Sequence, residues 1–216
     1  MNEIVRSATG LSVESRVLKN TYTLLSATLL FTAAVTWATQ GVRLAPGAYF
    51  ACVIGSFALL FVTMRLRNSG FGLLALFGFA GLEGFALGPV ISQYTHAPGG
   101  SSVVATAAGL TAAAFLGLSA YAQVSRRDFS AWGSMLFAGL LVVVVAGLIN
   151  LFVGSSAASL ALAAVSSILF CGYIVYDTSR IVQGGEANYI MATLQLYLDI
   201  LNLFLSLLRL LGGSRR

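Results

Sequence analysis

FSAWGSMLFAGLLVVVVAGLINLFVGSSAASLALAAVSSILFCGYIVY, residues 129–176, runs for 48 residues without a charged side chain. A helix needs about 20 apolar residues to cross a hydrocarbon core of about 30 Å, so this run is too long for one span and must fold back. Gly154, Ser155 and Ser156 supply the bend, because clustered Gly and Ser interrupt a helical pattern. In lipid every backbone N–H and C=O needs an internal partner, so both halves are helices, and the alternation expected of a barrel strand is absent.

The same reasoning places the other spans. No charge occurs between Lys19 and Arg43, nor over residues 44–64, which gives spans at about residues 21–39 and 47–64, with Pro46 at the entry to the second. A third covers residues 70–92 and a fourth residues 102–123, separated by the turn-rich His96, Ala97, Pro98, Gly99 and Gly100. After the fold-back come spans five and six, then a loop at residues 184–188 and a seventh span at residues 189–211. The expected organisation is a polar cytoplasmic tail at 1–20, a seven-helix transmembrane domain at 21–211 and a short basic tail at 212–216. The fold class is all-α membrane, a seven-transmembrane-helix bundle.

Composition excludes a separate soluble domain. Only 9% of the 216 residues are charged and 58% are hydrophobic, whereas a soluble domain carries about 25% charged residues. A net charge of +5 could suggest nucleic acid, but the cations stand at span boundaries and form no patch with interleaved aromatics. They read as topology signals, with no nucleic-acid partner. Cys52 and Cys171 lie in apolar runs, where a packing role is usual. The first apolar stretch is too long for a signal-peptide core and no A-x-A-like site ends it, so it reads as a retained span.

Orientation follows from the cations. Arg6, Arg16, Lys19, Arg65, Arg67, Arg126, Arg127 and Arg180 fall on one side of the seven-span scheme, and only Arg43 interrupts the opposite loops. The positive-inside rule makes the first side, with the N-terminus, cytoplasmic. Seven spans then put the C-terminus outside, against which Arg209, Arg215 and Arg216 argue. Either the tail charges are tolerated or the last segment re-enters.

Three carboxyl groups lie at membrane depth: Glu83, Asp177 and Asp199. Each costs at least about 2.5–3.5 kcal/mol on insertion scales, so each is a candidate functional group. Gln195, Asp199, Asn202, Ser206 and Arg209 are spaced four, three, four and three, which puts them on one face of the seventh helix. Asp199 lies about 15 Å into its span, near the midplane. Asn202 and Ser206 can equally be hydrogen-bonding contacts between helices. Asp177 has Tyr173 four residues before it and Arg180 three after, on the same face, so a plain boundary ion pair with Arg180 is the alternative. Glu83 sits in a third span where Gly81, Gly84 and Gly88 share a face that lets another backbone approach closely. Pro89 cannot donate to the Phe85 carbonyl, which leaves an oxygen beside the Glu83 carboxylate as a candidate hard-cation contact.

Catalytic constellations are missing. His96 is the sole histidine and lies in a loop, no G-x-S-x-G or H-E-x-x-H occurs, and no Cys/His cluster could hold zinc. An intramembrane aspartyl protease also needs two aspartates, but only half of such a motif is present, at Tyr176-Asp177. The expectation is a protein that is not an enzyme and has no resident cofactor.

Three stretches carry a resemblance: GLEGFALGPVI at residues 81–91, Tyr176-Asp177-Thr178 followed by Gly184-Gly185, and LYLDILNLFLSLLRLLG at residues 196–212. With them the chain resembles the transmembrane Bax inhibitor motif family, in its short bacterial, YccA-like branch, over nearly its whole length. The resemblance implies a bundle with the last helix central, set in the bacterial inner membrane. It implies a pH-sensitive calcium leak controlled by two aspartates on spans six and seven, which map onto Asp177 and Asp199. Calcium would be the permeant ion, with Asp177, Asp199 and Glu83 as transient contacts and Arg180, Gln195, Asn202 and Tyr173 in support. Some relatives carry a further pore acid in the second span; here that span has none, and Glu83 in span three takes its place. The resemblance also implies modulation of the membrane-anchored protease FtsH through the N-terminal tail.

Part of the case for the pair rests on geometry. Asp177 stands about eight residues before Gly185 and Asp199 about fourteen after, so in an antiparallel hairpin their depths differ by roughly 8 Å, which a modest tilt removes. At about 4 Å and an effective dielectric near 20, two carboxylates repel by about 4 kcal/mol, so they are expected to share one proton near neutrality and to separate when it leaves.

Overall fold

In a computed structural model the chain is described over residues 2–213, with side chains from Ser15 onward apart from that of Pro46. These residues form seven α-helices and no strand: α1 (Asn2–Ala38), α2 (Pro46–Arg65), α3 (Gly70–Thr95), α4 (Gly100–Ser125), α5 (Trp132–Val153), α6 (Ser156–Val182) and α7 (Tyr189–Gly213). Each contains a stretch long and apolar enough to cross a membrane. The expected spans recur with ends shifted by a few residues, as frayed and extended helix ends allow.

The fold-back occurs where the sequence placed it. Gly154 ends α5 at φ 69°, in the left-handed region that favours glycine, and donates to the Asn150 carbonyl at 2.8 Å. Ser155 caps α6 by accepting from the Ala158 N–H at 3.3 Å. Asn150 completes the bend: its Nδ2 donates to Ser159 Oγ at 2.7 Å, and its Oδ1 accepts from the Ser155 N–H at 3.2 Å. A turn at the membrane edge thus satisfies its own polar groups.

The segment read as a tail, 1–20, is helical backbone from Asn2 and continuous with the first span. The side chains of Glu3, Arg6 and Glu14 lie outside the described residues, as do Ser214, Arg215 and Arg216 of the basic tail. At the other end, α7 runs unbroken for 25 residues. That is about 37 Å, enough for a full crossing.

The chain forms two compact units, Met1–Pro98 with Glu186–Tyr197 and Gly99–Gly185 with Leu198–Arg216. In the first, α3 packs against both α1 and α2; in the second, α6 packs against both α4 and α5. The third helix of each consecutive trio is the one that touches the other two, and each unit takes half of α7. α7 is the most buried of the seven, with 61% of its apolar window inside, against 44% for α3 and 6% for α5.

In the first unit the glycine face of α3 meets α1. A Cβ on Gly84 would come within 2.7 Å of the Thr32 carbonyl oxygen, and one on Gly88 within 2.8 Å of the Thr39 carbonyl. The close approach lets α1 threonines bond across: Thr32 Oγ1 donates to the Ala80 carbonyl at 3.0 Å and Thr36 Oγ1 to the Gly84 carbonyl at 3.1 Å. Packing of small residues with hydrogen bonds between helices is how membrane helices associate where apolar burial supplies little drive.

Candidate functional site

The site is built in the second unit. Asp177 on α6 and Asp199 on α7 are both buried, at 6% and 4% exposure, and their carboxyl groups lie within reach of one another. A bond between two carboxyl groups requires a proton on one of them. One oxygen of Asp199, Oδ2, is buried without a hydrogen-bond partner among the described residues. A buried acceptor left unmade costs about 1–3 kcal/mol, so a proton or a passing cation has something to satisfy there.

Asp177 also faces a cation. Arg180 Nη1 stands 3.9 Å from Asp177 Oδ1, at the long end of ion-pair range, with about a third of the arginine side chain exposed. Its guanidinium lies 5.7 Å from the centre of the Tyr176 ring. Tyr176 is held in turn by Gly133 of α5, where a Cβ would come within 2.7 Å of the tyrosine oxygen. Asp177 thus has Arg180 on its own helix and Asp199 of α7 as neighbours.

Polar ties fix the end of α6 that carries the pair. Ser119 Oγ on α4 and Thr178 Oγ1 meet at 3.2 Å. Ser179 Oγ donates to the Arg127 carbonyl at 2.9 Å, and Gln183 Nε2 donates to that carbonyl at 2.7 Å and to Ser179 Oγ at 2.8 Å. Sequence reading missed this clamp. Its only signal was the run of hydroxyls beside Asp177, and the Arg127 carbonyl is invisible to any side-chain motif.

The remaining candidates are distributed differently. Tyr173 lies within electrostatic reach of both aspartates. Asn202 Nδ2 donates to the Leu198 carbonyl at 2.8 Å and Ser206 Oγ to the Asn202 carbonyl at 2.7 Å, so both bond their own helix. The polar face of α7 grades from buried Asp199 through half-buried Asn202 and Ser206 to exposed Arg209. Gln195, half-buried, belongs to the first unit. So does Glu83, half-buried on α3 and close to the buried Ser56 of α2. Among the described residues no group of three or more His, Cys, Asp or Glu could hold a metal ion.

Seven spanning helices with two buried carboxyl groups on α6 and α7 define a multi-pass α-helical membrane protein with acids at membrane depth. The chain belongs to the Bax inhibitor family: the family model described as inhibitor of apoptosis-promoting Bax1 matches residues 14–216. A membrane protein of Vibrio cholerae is 50% identical over 199 residues, covering 92% of this chain and 89% of its own. The modulator of FtsH protease YccA of Escherichia coli K12 is 39% identical over 219 aligned positions, covering the whole of both chains. The protein of Escherichia coli O6:H1 named inner membrane protein YccA matches at the same identity and coverage.

Proposed function

We propose that this protein is an inner-membrane modulator of an FtsH-type protease, acting by binding and without catalysis of its own. The observation that carries the reading is the 39% identity over the full length of both chains with a protein named as such a modulator. On the cation bias its N-terminus faces the cytoplasm, where the helical N-terminal part of α1 is the segment available to a membrane-anchored partner. Co-reconstitution with the protease and a membrane substrate is the test. The full chain is expected to change the rate of substrate turnover, and an unchanged rate overturns the reading. Deleting residues 1–20 is expected to abolish the effect.

A second reading, a pH-sensitive leak for calcium or another cation, is favoured by the burial of Asp177 and Asp199 beside one another. One proton holds the α6 and α7 carboxyls together; its loss leaves two like charges that repel. Glu83 with Ser56 offers a further acid for cation entry on another helix. The ion is cargo here and no resident cofactor is involved. Calcium flux into proteoliposomes is expected to change with pH, to lose that dependence in Asp177→Asn and Asp199→Asn, and to fall in Glu83→Gln. It is also expected to survive deletion of residues 1–20, which separates the two readings.

A further inference from the structure

Four cations of the first unit stand at one end of it. Arg16 and Lys19 lie at the start of the first span, and Arg65 and Arg67 close α2 and open its connection to α3. The beginning of α7 ties both pairs to the same place. Thr193 Oγ1 donates to the carbonyl of Thr21, two residues past Lys19, at 3.3 Å. Asn188 Nδ2 donates to the Arg67 carbonyl at 3.0 Å and to Asn68 Oδ1 at 2.8 Å. Asn188 and Thr193 are five residues apart, about 7.5 Å along the helix axis, so the two pairs flank one short stretch of α7.

The connection that presents Arg65 and Arg67 is tight. Ser69 Oγ donates to the Leu66 carbonyl at 2.9 Å, and a Cβ on Gly72 would collide with that carbonyl. All four basic side chains are exposed, and none meets a carboxylate among the described residues. Glu186, the carboxylate at this end, accepts from the Asn188 N–H at 3.0 Å. Among the described side chains, four cations at this end stand with one carboxylate. Orientation in the membrane needs cations near span ends but does not need the backbone beside them tied by hydrogen bonds to Asn188 and Thr193.

We infer that this end of the first unit binds the phosphate headgroups of anionic phospholipids. Span ends lie at headgroup depth, and the arginine fork matches phosphate oxygens in pairs. The start of α7 does not itself supply the site, because Asn188 Oδ1 already accepts from the N–H groups of Ile190 at 3.0 Å and Met191 at 3.1 Å. The side-chain cations carry the binding.

The test is native mass spectrometry of the purified full chain in detergent, titrated with phosphatidylglycerol or phosphatidylcholine. Phosphatidylglycerol is expected to bind more tightly, and the double variant Arg65→Gln/Arg67→Gln to weaken it roughly 30-fold, about 1 kcal/mol per cation. The variant Arg126→Gln/Arg127→Gln, in the second unit, is expected to stay within about twofold of the unaltered chain, since it removes as much charge elsewhere. Equal affinity for the two lipids, or equal losses in the two double variants, overturns the proposal. So does displacement of the lipid by millimolar inorganic phosphate, which would mark a site for soluble anions. If Arg65→Gln/Arg67→Gln does not fold, Arg16→Gln/Lys19→Gln asks the same question from the α1 side of the patch, with the same expected loss.

Discussion

The hydroxyls of Thr32 and Tyr197 lie 2.8 Å apart, 165 residues distant in the chain, and join α1 to α7 within the first unit. Thr32 gives its proton to the Ala80 carbonyl, so Tyr197 is the donor between them. Tyr197 is fully buried and packs edge-on against Phe79, with ring centres 5.6 Å apart. Tyr197→Phe keeps the ring contact and loses only the bond, so thermal unfolding in detergent is expected to report a loss of about 0.6 kcal/mol and at most about 1.7. Tyr197→Ala removes the ring as well, and a loss of about 3–5 kcal/mol is expected.

The glycines of α3 give a contrast within one residue type. Gly84→Ala pushes a methyl into the backbone of α1 at Thr32 and Gly88→Ala into that of Thr39, just past its end, and backbone cannot yield as a side chain can. Each is expected to cost about 1–3 kcal/mol. Gly109→Ala and Gly117→Ala on α4 meet nothing within 4 Å, and the melting temperature is expected to hold or rise slightly. Equal effects at all four positions would contradict the close approach of α1 and α3.

For the carboxyl pair the expected signature is in pH. Two carboxyl groups can bond only while they share a proton, and its loss leaves two like charges side by side. The unaltered protein is therefore expected to melt at a lower temperature at pH 8.5 than at pH 6. Asp199→Asn brings its own donor and is expected to flatten that slope. If Asp177→Asn and Asp199→Asn both retain the original profile, in melting and in ion flux, the pair is structural.

Asp128 lies in the loop between α4 and α5 and is exposed. The Ser130 backbone N–H, bonded to Asp128 Oδ1 at 2.8 Å, and then the Ser130 hydroxyl hold its carboxyl below the usual aspartate range. The stabilisation is present above the unfolded value of about 3.9 and is lost as pH falls through the lower folded value. An NMR titration is expected to place the midpoint below that of a free aspartate, and amide exchange at residues 126–132 to accelerate only under strong acid. Asp128→Asn keeps the acceptor and is expected to exchange normally at low pH.

Topology is open to a direct test. On the cation bias, a reporter active only after export is expected to be silent when fused at Arg67 or Arg127 and active when fused after α7. Activity at Arg127 would invert the orientation. A silent reporter after α7 would place both ends on one side, despite a helix long enough to cross.

Much of the fold was legible because burial in lipid writes itself on composition. A span must be apolar for about 20 residues, so charges and Gly, Pro and Ser clusters mark its ends with little help from the rest of the chain. The glycine face of α3 was readable for the same reason, since only small residues permit close helix contact. Acids at bilayer depth are rare enough to name themselves, which is why Asp177, Asp199 and Glu83 stood out before any packing was known.

The sequence by itself determined seven helices, the bend at Gly154, the acids at membrane depth and the cation bias, because each is a local response to the solvent around one segment. Only the tertiary structure decided which helices touch. It showed α3 and α6 as the packing centres of their units, without a repeat in the sequence to announce it. It also decided that Asp177 faces Arg180 and Asp199 together while Glu83 belongs to the other unit with Ser56. Hydrogen bonds to the carbonyls of Arg127, Ala80 and Arg67 depend on where two distant backbones meet. Every residue carries the same carbonyl, so no side-chain pattern along the chain can encode which one is used.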